Sequence, residues 1–91
     1  MATIDPAMII HARSDLARRL ELGEDEITKG QVDKADFPDA SLGAPVGDEM
    51  SAQVITPGFR IWLQAKGETY EYRATQRQLR LVNFKGQNYR V

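Results

Sequence analysis

Apolar residues follow two different periods along this chain, a helical period near the N-terminus and a strand period near the C-terminus. The helical period is carried by Ile9, Ala12, Leu16 and Leu20. Residues spaced by three or four positions share one helix face, so this stripe predicts an amphipathic helix. An Asp-Pro pair before the stripe and Gly23 after it place the helix at about residues 6–22. We expect Asp15 on its exposed side, paired with Arg18 or Arg19.

The clearest strand period lies in residues 59–74, where apolar and polar residues alternate on both sides of Lys66-Gly67. If Lys66-Gly67 is a two-residue turn, counting outward from it pairs Leu63 with Tyr70. One side of this hairpin then holds Phe59, Ile61, Leu63, Tyr70, Tyr72 and Ala74. The other side holds Arg60, Trp62, Gln64, Thr69, Glu71 and Arg73. A shift by one residue would mix the two sets, so the pattern predicts one register with one side facing the core.

The rest of the chain predicts further antiparallel strands around this hairpin. All predicted strands together cover residues 27–37, 52–55, 59–66, 68–75 and 79–84. Gly30 favours a bulge in the first strand, and Thr56-Pro57-Gly58-Phe59 is typical of a type II turn. Residues 39–50 form a long loop without periodicity, and residues 85–91 form a short strand or a tail. The sequence therefore predicts a single α+β domain over residues 1–91, with one N-terminal helix packed on a three- to five-stranded antiparallel sheet.

Composition agrees with a small globular domain and excludes several classes of protein. Apolar residues make up 42% and charged residues 27% of the chain, and there is no Cys. Without Cys the chain has no disulfide, no thiolate chemistry and no Cys-based zinc site. No apolar run reaches the roughly 18 residues of a transmembrane helix, and the N-terminus does not resemble a signal peptide. We expect a soluble, cytoplasmic domain with no membrane partner.

The net charge of −1 conceals two halves of opposite charge. Residues 1–50 contain 5 Lys/Arg against 11 Asp/Glu, whereas residues 51–91 contain 7 against 2. If the halves form separate surfaces, the domain is dipolar and weak self-association is expected. If the halves mix in space, their fields cancel, and the sequence leaves both arrangements open.

Two sequence boxes resemble a family of small bacterial domains without known activity. Residues 37–45 read Phe-Pro-Asp-Ala-Ser-Leu-Gly-Ala-Pro, and residues 52–61 read Ala-Gln-Val-Ile-Thr-Pro-Gly-Phe-Arg-Ile. The family has an aromatic-Pro-Asp-x-Ser-Leu-Gly-Cys-Pro box before an Ala-Gln-Val-x-Thr-Pro-Gly segment, and the resemblance covers about residues 9–82. Ala44 stands where that box has Cys, so any role of the family's thiol is absent here. The resemblance implies a domain outline and no mechanism.

Side chains that could carry catalysis are few, and the sequence shows no partners for them. His11 is the one histidine, and we expect it to lie solvated opposite the apolar stripe of the helix. The serines that could act as nucleophiles, given a base in reach, are Ser14, Ser41 and Ser51. The acidic groups in residues 24–26 and 33–39 lack the spacing of a calcium loop. We therefore expect no enzymatic activity, no metal site and no cofactor.

The polar side of the hairpin is the first candidate binding surface. It presents Arg60, Trp62, Gln64, Glu71 and Arg73. Trp and Arg are over-represented at binding hot spots, and Arg60 opposite Arg73 is a like-charge pair that an anionic partner would relieve. In the alternative, the long loop or the C-terminal segment covers Trp62 and forms a second small core with it.

The long loop at residues 39–50 is the second candidate surface. Its apolar residues Leu42 and Val46 could insert into a groove of a partner, as the loops of protease inhibitors do. In the alternative, Leu42 and Val46 plug one end of the sheet and the loop is compact.

Nucleic acid is the rival class of partner. The second half of the chain carries the basic residues Arg60, Arg73, Arg77, Arg80, Lys85 and Arg90. However, the predicted register places Tyr70 and Tyr72 on the face opposite Trp62, and the pI of about 5.8 is not that of a nucleic-acid-binding domain. We therefore predict a non-enzymatic interaction or regulatory domain with an unidentified protein partner, and single-stranded nucleic acid as the less favoured partner.

Overall fold

The structure is a computed structural model that describes residues 3–91 of the chain. Helix α1 spans Pro6–Leu20 and begins as the sequence predicts, with the Asp5 carboxylate accepting from the backbone N–H of Ala7 at 3.0 Å. It ends two residues earlier than predicted. Glu21 adopts the left-handed conformation with φ 56°, and the N–H of Leu22 then donates to the carbonyl of Ala17 at 2.9 Å. This early end lets Leu22 turn back and pack against the core.

The rest of the described chain forms a short 3₁₀ turn at Glu24–Glu26 and five strands. The strands are β1 (Thr28–Phe37), β2 (Thr56–Ala65), β3 (Glu68–Ala74), β4 (Leu79–Phe84) and β5 (Gln87–Arg90). They lie side by side in chain order in one antiparallel sheet. The predicted α+β class and the antiparallel sheet are confirmed. Of the two alternatives for the C-terminus, the short strand is correct.

The predicted register of the hairpin is confirmed in every pair. Leu63 lies opposite Tyr70, and Trp62 lies opposite Glu71. Lys66 and Gly67 form the two-residue turn, with φ values of 52° and 79°. The bulge that Gly30 suggested is also present, since the pairing of β1 with β2 shifts between Lys29 and Val32.

Two predictions on the chain before the hairpin are wrong. Residues 52–55 are not a strand, and the Thr-Pro-Gly-Phe segment is not a turn but the beginning of β2. β3 ends at Ala74 opposite Phe59, so at Pro57 the strand has a neighbour on one side only and a missing N–H is tolerated. Gly58 fits here because a Cβ would lie 2.4 Å from the carbonyl oxygen of Ala74.

Helix α1 covers one face of the sheet, which we call the inner face. The buried residues of this main core include Ala12, Leu16, Ile61, Leu63, Tyr72 and Leu81. Asp15 lies on the side of α1 that faces the sheet. It is only 4% exposed, so the expectation that it is a surface residue is wrong. Its carboxylate accepts from Arg18 at 2.7 Å, from Arg19 at 2.7 Å and from the Tyr72 hydroxyl at 2.8 Å. The bond from Tyr72, made across 57 residues of chain, fixes α1 on the sheet, whereas the bonds from Arg18 and Arg19 lie within the helix.

Candidate interaction surface

The opposite face of the sheet, the outer face, carries a row of arginines. Cross-strand pairing places Arg60 beside Arg73, Arg73 beside Arg80 and Arg80 beside Arg90. Residues that lie directly opposite in antiparallel strands point to the same side of the sheet. The arginine row, as we call these four residues, therefore crosses β2, β3, β4 and β5 on one face.

Two carboxylates of the chain itself neutralise the arginine row. Glu71 lies 3.3 Å from Nε of Arg60 and 2.7 Å from Nε of Arg73. Glu49 accepts from both terminal nitrogens of Arg80, at 2.6 and 2.9 Å, and lies 3.6 Å from Arg90. The like-charge contact between Arg60 and Arg73 is therefore relieved within the protein, by Glu71.

The environment of Glu49 strongly favours its charged form. The hydrogen bonds from Arg80, followed by the backbone N–H of Val46, lower the pKa of Glu49 from 4.5 to about 2. The bidentate geometry also restrains the direction of the Arg80 side chain, which is almost fully buried. Glu49 thus fastens the loop in which it lies to the sheet.

The loop between β1 and β2, residues 38–55, lies on the outer face and is held there by side chains of the sheet. Four of its backbone carbonyls accept hydrogen bonds of 2.8 to 3.0 Å from Gln78, Arg73, Arg80 and Asn88. Asp39 organises the loop from inside by accepting from the hydroxyl of Ser41 and from the N–H of Gly43, and these two bonds lower its pKa. The loop is therefore an ordered cover rather than a free connection.

The first half of the loop, residues 38–46, makes a second small core with the sheet. Phe37 is 1% exposed, and the guanidinium groups of Arg60 and Arg73 lie 5.6 and 5.4 Å from the centre of its ring. Leu42 and Ala44 are fully buried. For Leu42, the alternative of a compact loop is therefore correct. Leu42 is fully buried and cannot contact a partner while the loop lies on the sheet. Val46 is half-buried and keeps part of its surface exposed.

The second half of the loop, residues 47–55, which we call the strap, has a different character. All of its residues except Glu49 and Ser51 are exposed. Met50, Val54 and Ile55 are 95%, 57% and 71% exposed, although they are large apolar residues. Of the strap side chains, Glu49 reaches the sheet through Arg80 and Arg90. The strap is therefore an exposed apolar segment that Glu49 fastens to the sheet and that the Ala40 N–H, donating to the Ala52 carbonyl at 3.0 Å, fastens to the first half of the loop.

The loop leaves part of the outer face open, and Trp62 lies in this open part. Trp62 is half-buried, and its Nε1 donates to the carboxylate of Asp33 at 3.3 Å. An open groove of about 610 Å³ runs beside it, lined among others by Trp62, Thr69, Glu71, Val82, Asn83 and Lys85. We call this the Trp62 groove. Gln64 is exposed on the same side of β2, beyond the groove lining.

The structure brings the predicted hairpin residues together but gives them different roles. Trp62 and Glu71 line the groove, whereas Arg60 and Arg73 support the loop and Phe37. The sequence reasoning missed the contact of Arg80 with Glu49, which joins residues 31 positions apart. A signal was present, since extending the hairpin register to β4 places Arg80 beside Arg73 on the outer face.

A second recess lies at the end of β5. His11, which is exposed as expected, lines this recess of about 240 Å³ together with Ser14, Asp15, Arg18, Arg19 and Arg90. Among residues 3–91, no group of three or more His, Asp or Glu residues is placed to hold a metal ion. No helix of the described residues combines the length and apolar content needed to cross a membrane.

Comparison with known proteins gives a family and no activity. A family model described as a domain of unknown function, DUF8738, matches residues 9–82. Because this match covers most of the chain, the protein belongs to that family. No curated protein and no solved structure matches the chain.

Proposed function

We propose that this member of the DUF8738 family is a non-enzymatic interaction domain that binds a protein partner through the Trp62 groove, with the strap as a second contact. One observation carries the proposal. The ordered loop covers Phe37, Arg73 and Arg80 but leaves Trp62 half-exposed beside an open groove. The large aromatic side chain of Trp62 thus keeps part of its surface exposed, and this surface is available to a partner.

The surroundings of Trp62 suit a binding hot spot. Its indole N–H is already bonded to Asp33, so the ring has a defined orientation before any partner binds. Val82 adds apolar surface, and Thr69 and Asn83 add hydrogen-bonding groups at the sides of the groove. An aromatic anchor with a polar rim is the usual composition of a protein interface.

A nucleic-acid partner has weaker support, although four arginines share the outer face. Glu71 and Glu49 pair with all four of them, and Arg73 and Arg80 also donate to loop carbonyls. Arg80 is buried and Tyr72, an aromatic that could stack a base, is fully buried on the inner face. We therefore keep a protein as the proposed partner. A cytoplasmic location remains part of this proposal and agrees with the absence of Cys.

The two sequence boxes belong to the same proposal. Residues 37–45 contain Phe37 and the buried part of the loop. Residues 52–61 contain the end of the strap and the first part of β2. We propose that these boxes mark the family because they attach the loop to the outer face and so decide which part of it stays open.

Site-directed photo-crosslinking in cells tests the proposal. A photoreactive residue replaces Thr69, which is exposed and lines the groove, or His11, which is exposed on the helix as a control. We expect a crosslinked protein from position 69 and not from position 11, and we expect Trp62→Ala to reduce its yield several-fold. Equal crosslinking from both positions, or an unchanged yield in a folded Trp62→Ala variant, would contradict the proposed groove.

A further inference from the structure

We infer that β1 pairs with β1 of a second copy of this chain, in an antiparallel two-fold contact centred on Ala35. The inference goes beyond the proposed function, because this contact uses an edge of the sheet and none of the residues that line the Trp62 groove. It follows from three features of the described residues: an open strand edge, a regular segment within that strand, and the charges along the segment.

One long edge of the sheet is open. β1 comes first in the sheet order, so within residues 3–91 it has β2 on one side and no strand on the other. The loop that follows β1 runs over the outer face away from this edge, since its carbonyls accept from Arg73, Arg80 and Asn88 on β3, β4 and β5. An open strand edge presents unpaired N–H and C=O groups to which a second strand can bond.

The backbone groups of Lys34 and Asp36 point to the open edge. In the hairpin, alternate residues of β2 counted from the Lys66-Gly67 turn bond to β3, and the residues between them bond to β1. Residues of the second kind lie opposite Asp33 and Ala35, so the backbone groups of these two residues point to β2. The N–H and C=O groups of Lys34 and Asp36 then point the other way, toward a further strand.

The second part of β1 is the part that can pair regularly with another strand. The pairing of β1 with β2 shifts between Lys29 and Val32 and runs without interruption from Val32 to Phe37. A bulge disrupts the ladder at its own position, so a second strand has residues 32–37 available. Residues directly opposite in an antiparallel pair lie on the same face, so the two-fold axis of a self-pairing strand passes through a residue and not between two.

The charges along residues 32–37 favour an axis at Ala35. In this register Lys34 of each copy lies opposite Asp36 of the other, so both cross-strand pairs join opposite charges. Lys34 and Asp36 are exposed, and neither forms an ion pair within residues 3–91. Asp33, whose carboxylate already accepts from Trp62, lies opposite an uncharged residue of the copy.

The other axes within residues 32–37 are unfavourable. An axis at Asp33, Lys34 or Asp36 places two like charges directly opposite each other, which destabilises a strand pair. An axis at Val32 or Phe37 lies at an end of the regular segment and leaves most of it unpaired. The segment is therefore self-complementary about one residue, which identifies a second copy as its partner.

Ala35 also suits the axis in backbone geometry. Because the backbone groups of Lys34 and Asp36 point to the edge, each Lys34–Asp36 pair can exchange both of its N–H···O bonds. The two Ala35 residues then form the non-hydrogen-bonded pair at the centre, with Cα atoms about 4.5 Å apart. A small side chain fits this narrow position.

Cysteine crosslinking tests the contact, since the chain has no Cys and an introduced cysteine reports its own position. Ala35→Cys brings two thiols together at a distance that suits a disulfide. With copper phenanthroline as oxidant, we expect several-fold more disulfide dimer from Ala35→Cys than from Thr28→Cys. Thr28 is the matched control because it is exposed and lies on β1 before the bulge, whereas Ala35 is half-buried, so random collisions would favour position 28.

Sedimentation velocity on the whole chain tests the register. We expect wild-type protein to pass from monomer to dimer between about 10 μM and about 1 mM, the range of a small interface. Lys34→Glu and Asp36→Lys each bring like charges together, so each should raise the dissociation constant by at least about threefold. Lys29→Glu, the same charge change on β1 outside the regular segment, should leave it near the wild-type value.

Mixing the two charge variants gives the sharper result. In a pair formed by one Lys34→Glu chain and one Asp36→Lys chain, opposite charges face each other at both positions. An equimolar mixture should therefore associate more tightly than either variant alone, and circular dichroism of each variant should show the wild-type fold.

Several results would overturn the inference, and they leave the proposed function untouched. These are a wild-type chain that stays monomeric at about 1 mM, a mixture no tighter than its components, and equal crosslinking from positions 28 and 35. A photoreactive residue in place of Gln31, which is exposed beside the segment, would also overturn it by capturing a different protein in cells. The edge would then belong to a foreign strand. The crosslink from position 69 reports on the Trp62 groove independently of all these outcomes.

Discussion

At the scale of single residues, two carboxylates attach other elements to this sheet: Asp15 attaches helix α1, and Glu49 attaches the loop between β1 and β2. Asp15 looks like a surface partner of Arg18 or Arg19 in sequence, because the ion pair has helical spacing. In the structure it is buried, because Tyr72 approaches from β3 and donates to it at 2.8 Å. Helical spacing predicted the ion pairs correctly, but the third bond depends on a residue 57 positions away and has no local signal.

The Asp15–Tyr72 bond leads to a prediction on stability. Burial, and then the hydrogen bond to Asp15, raise the pKa of Tyr72, so its hydroxyl keeps its proton and remains a donor at neutral pH. Tyr72→Phe removes this one bond to a charged acceptor and should lower the free energy of unfolding by about 1.5–3 kcal/mol in urea denaturation. Tyr70→Phe is the control, because Tyr70 donates to Glu68 at an exposed site. A similar loss in both variants would show that the bond to Asp15 does not carry this stability.

At the scale of elements, the sequence predicts the pairing of the hairpin strands correctly, but it does not predict the position of the loop between β1 and β2. The hairpin register follows from the Lys66-Gly67 turn together with the alternation, since the turn sets the pairing and a shift by one residue would place Ile61 and Tyr72 on opposite sides. Residues 52–55 have strand-like composition, but no strand lies beside them, so they remain irregular. The position of the loop depends on Arg80 meeting Glu49, a long-range ion pair that leaves no periodicity in the sequence.

The fastening of the loop by Glu49 gives a prediction on pH. The pKa of Glu49 is about 2 in the folded protein and 4.5 as its ordinary value, so the folded state binds the proton more weakly than the unfolded state. Its contribution to stability is therefore complete above about pH 4.5 and is lost as the pH falls through about 2. Thermal unfolding of wild type and Glu49→Gln should differ at pH 7, and the difference should shrink between pH 4.5 and pH 2.

Asp48→Asn provides the control for this experiment. Asp48 is the exposed neighbour of Glu49 and lies in the same strap. Its neutralisation should leave the unfolding temperature near that of wild type at pH 7, since exposed charges contribute little. A difference between wild type and Glu49→Gln that does not change with pH would mean that packing, rather than the charge of Glu49, fastens the loop.

At the scale of the whole molecule, one sheet carries two covers on opposite faces, attached by different residues. Helix α1 closes the inner face over the main core, and the loop closes part of the outer face over Phe37 and Leu42. The main core does not include Phe37, Leu42 or Ala44, so the two apolar clusters are separated by the sheet. Sequence periodicity revealed the first cover, since a helix has a repeat, and could not reveal the second, since an irregular loop has none.

Two separate covers imply that the outer one can open while the inner one stays closed. Local opening in folded proteins occurs in cooperative units, and a unit held by a few polar contacts opens most easily. Glu49→Gln weakens the bond of the loop to Arg80, so hydrogen exchange should accelerate at the N–H groups of Ala40 and Ala44, which bond within the loop. Exchange at the N–H of Leu22, which closes α1 on the inner side, should stay as in wild type.

Tyr72→Phe supplies the reciprocal comparison for this prediction. It weakens the attachment of α1 to the sheet and leaves every contact of the loop in place. We expect it to accelerate exchange at Leu22 more than at Ala40 and Ala44, the reverse of the order in Glu49→Gln. If either variant accelerates all three amides by the same factor, the covers open as one unit with the sheet. The strap would then leave the outer face only when the whole domain unfolds.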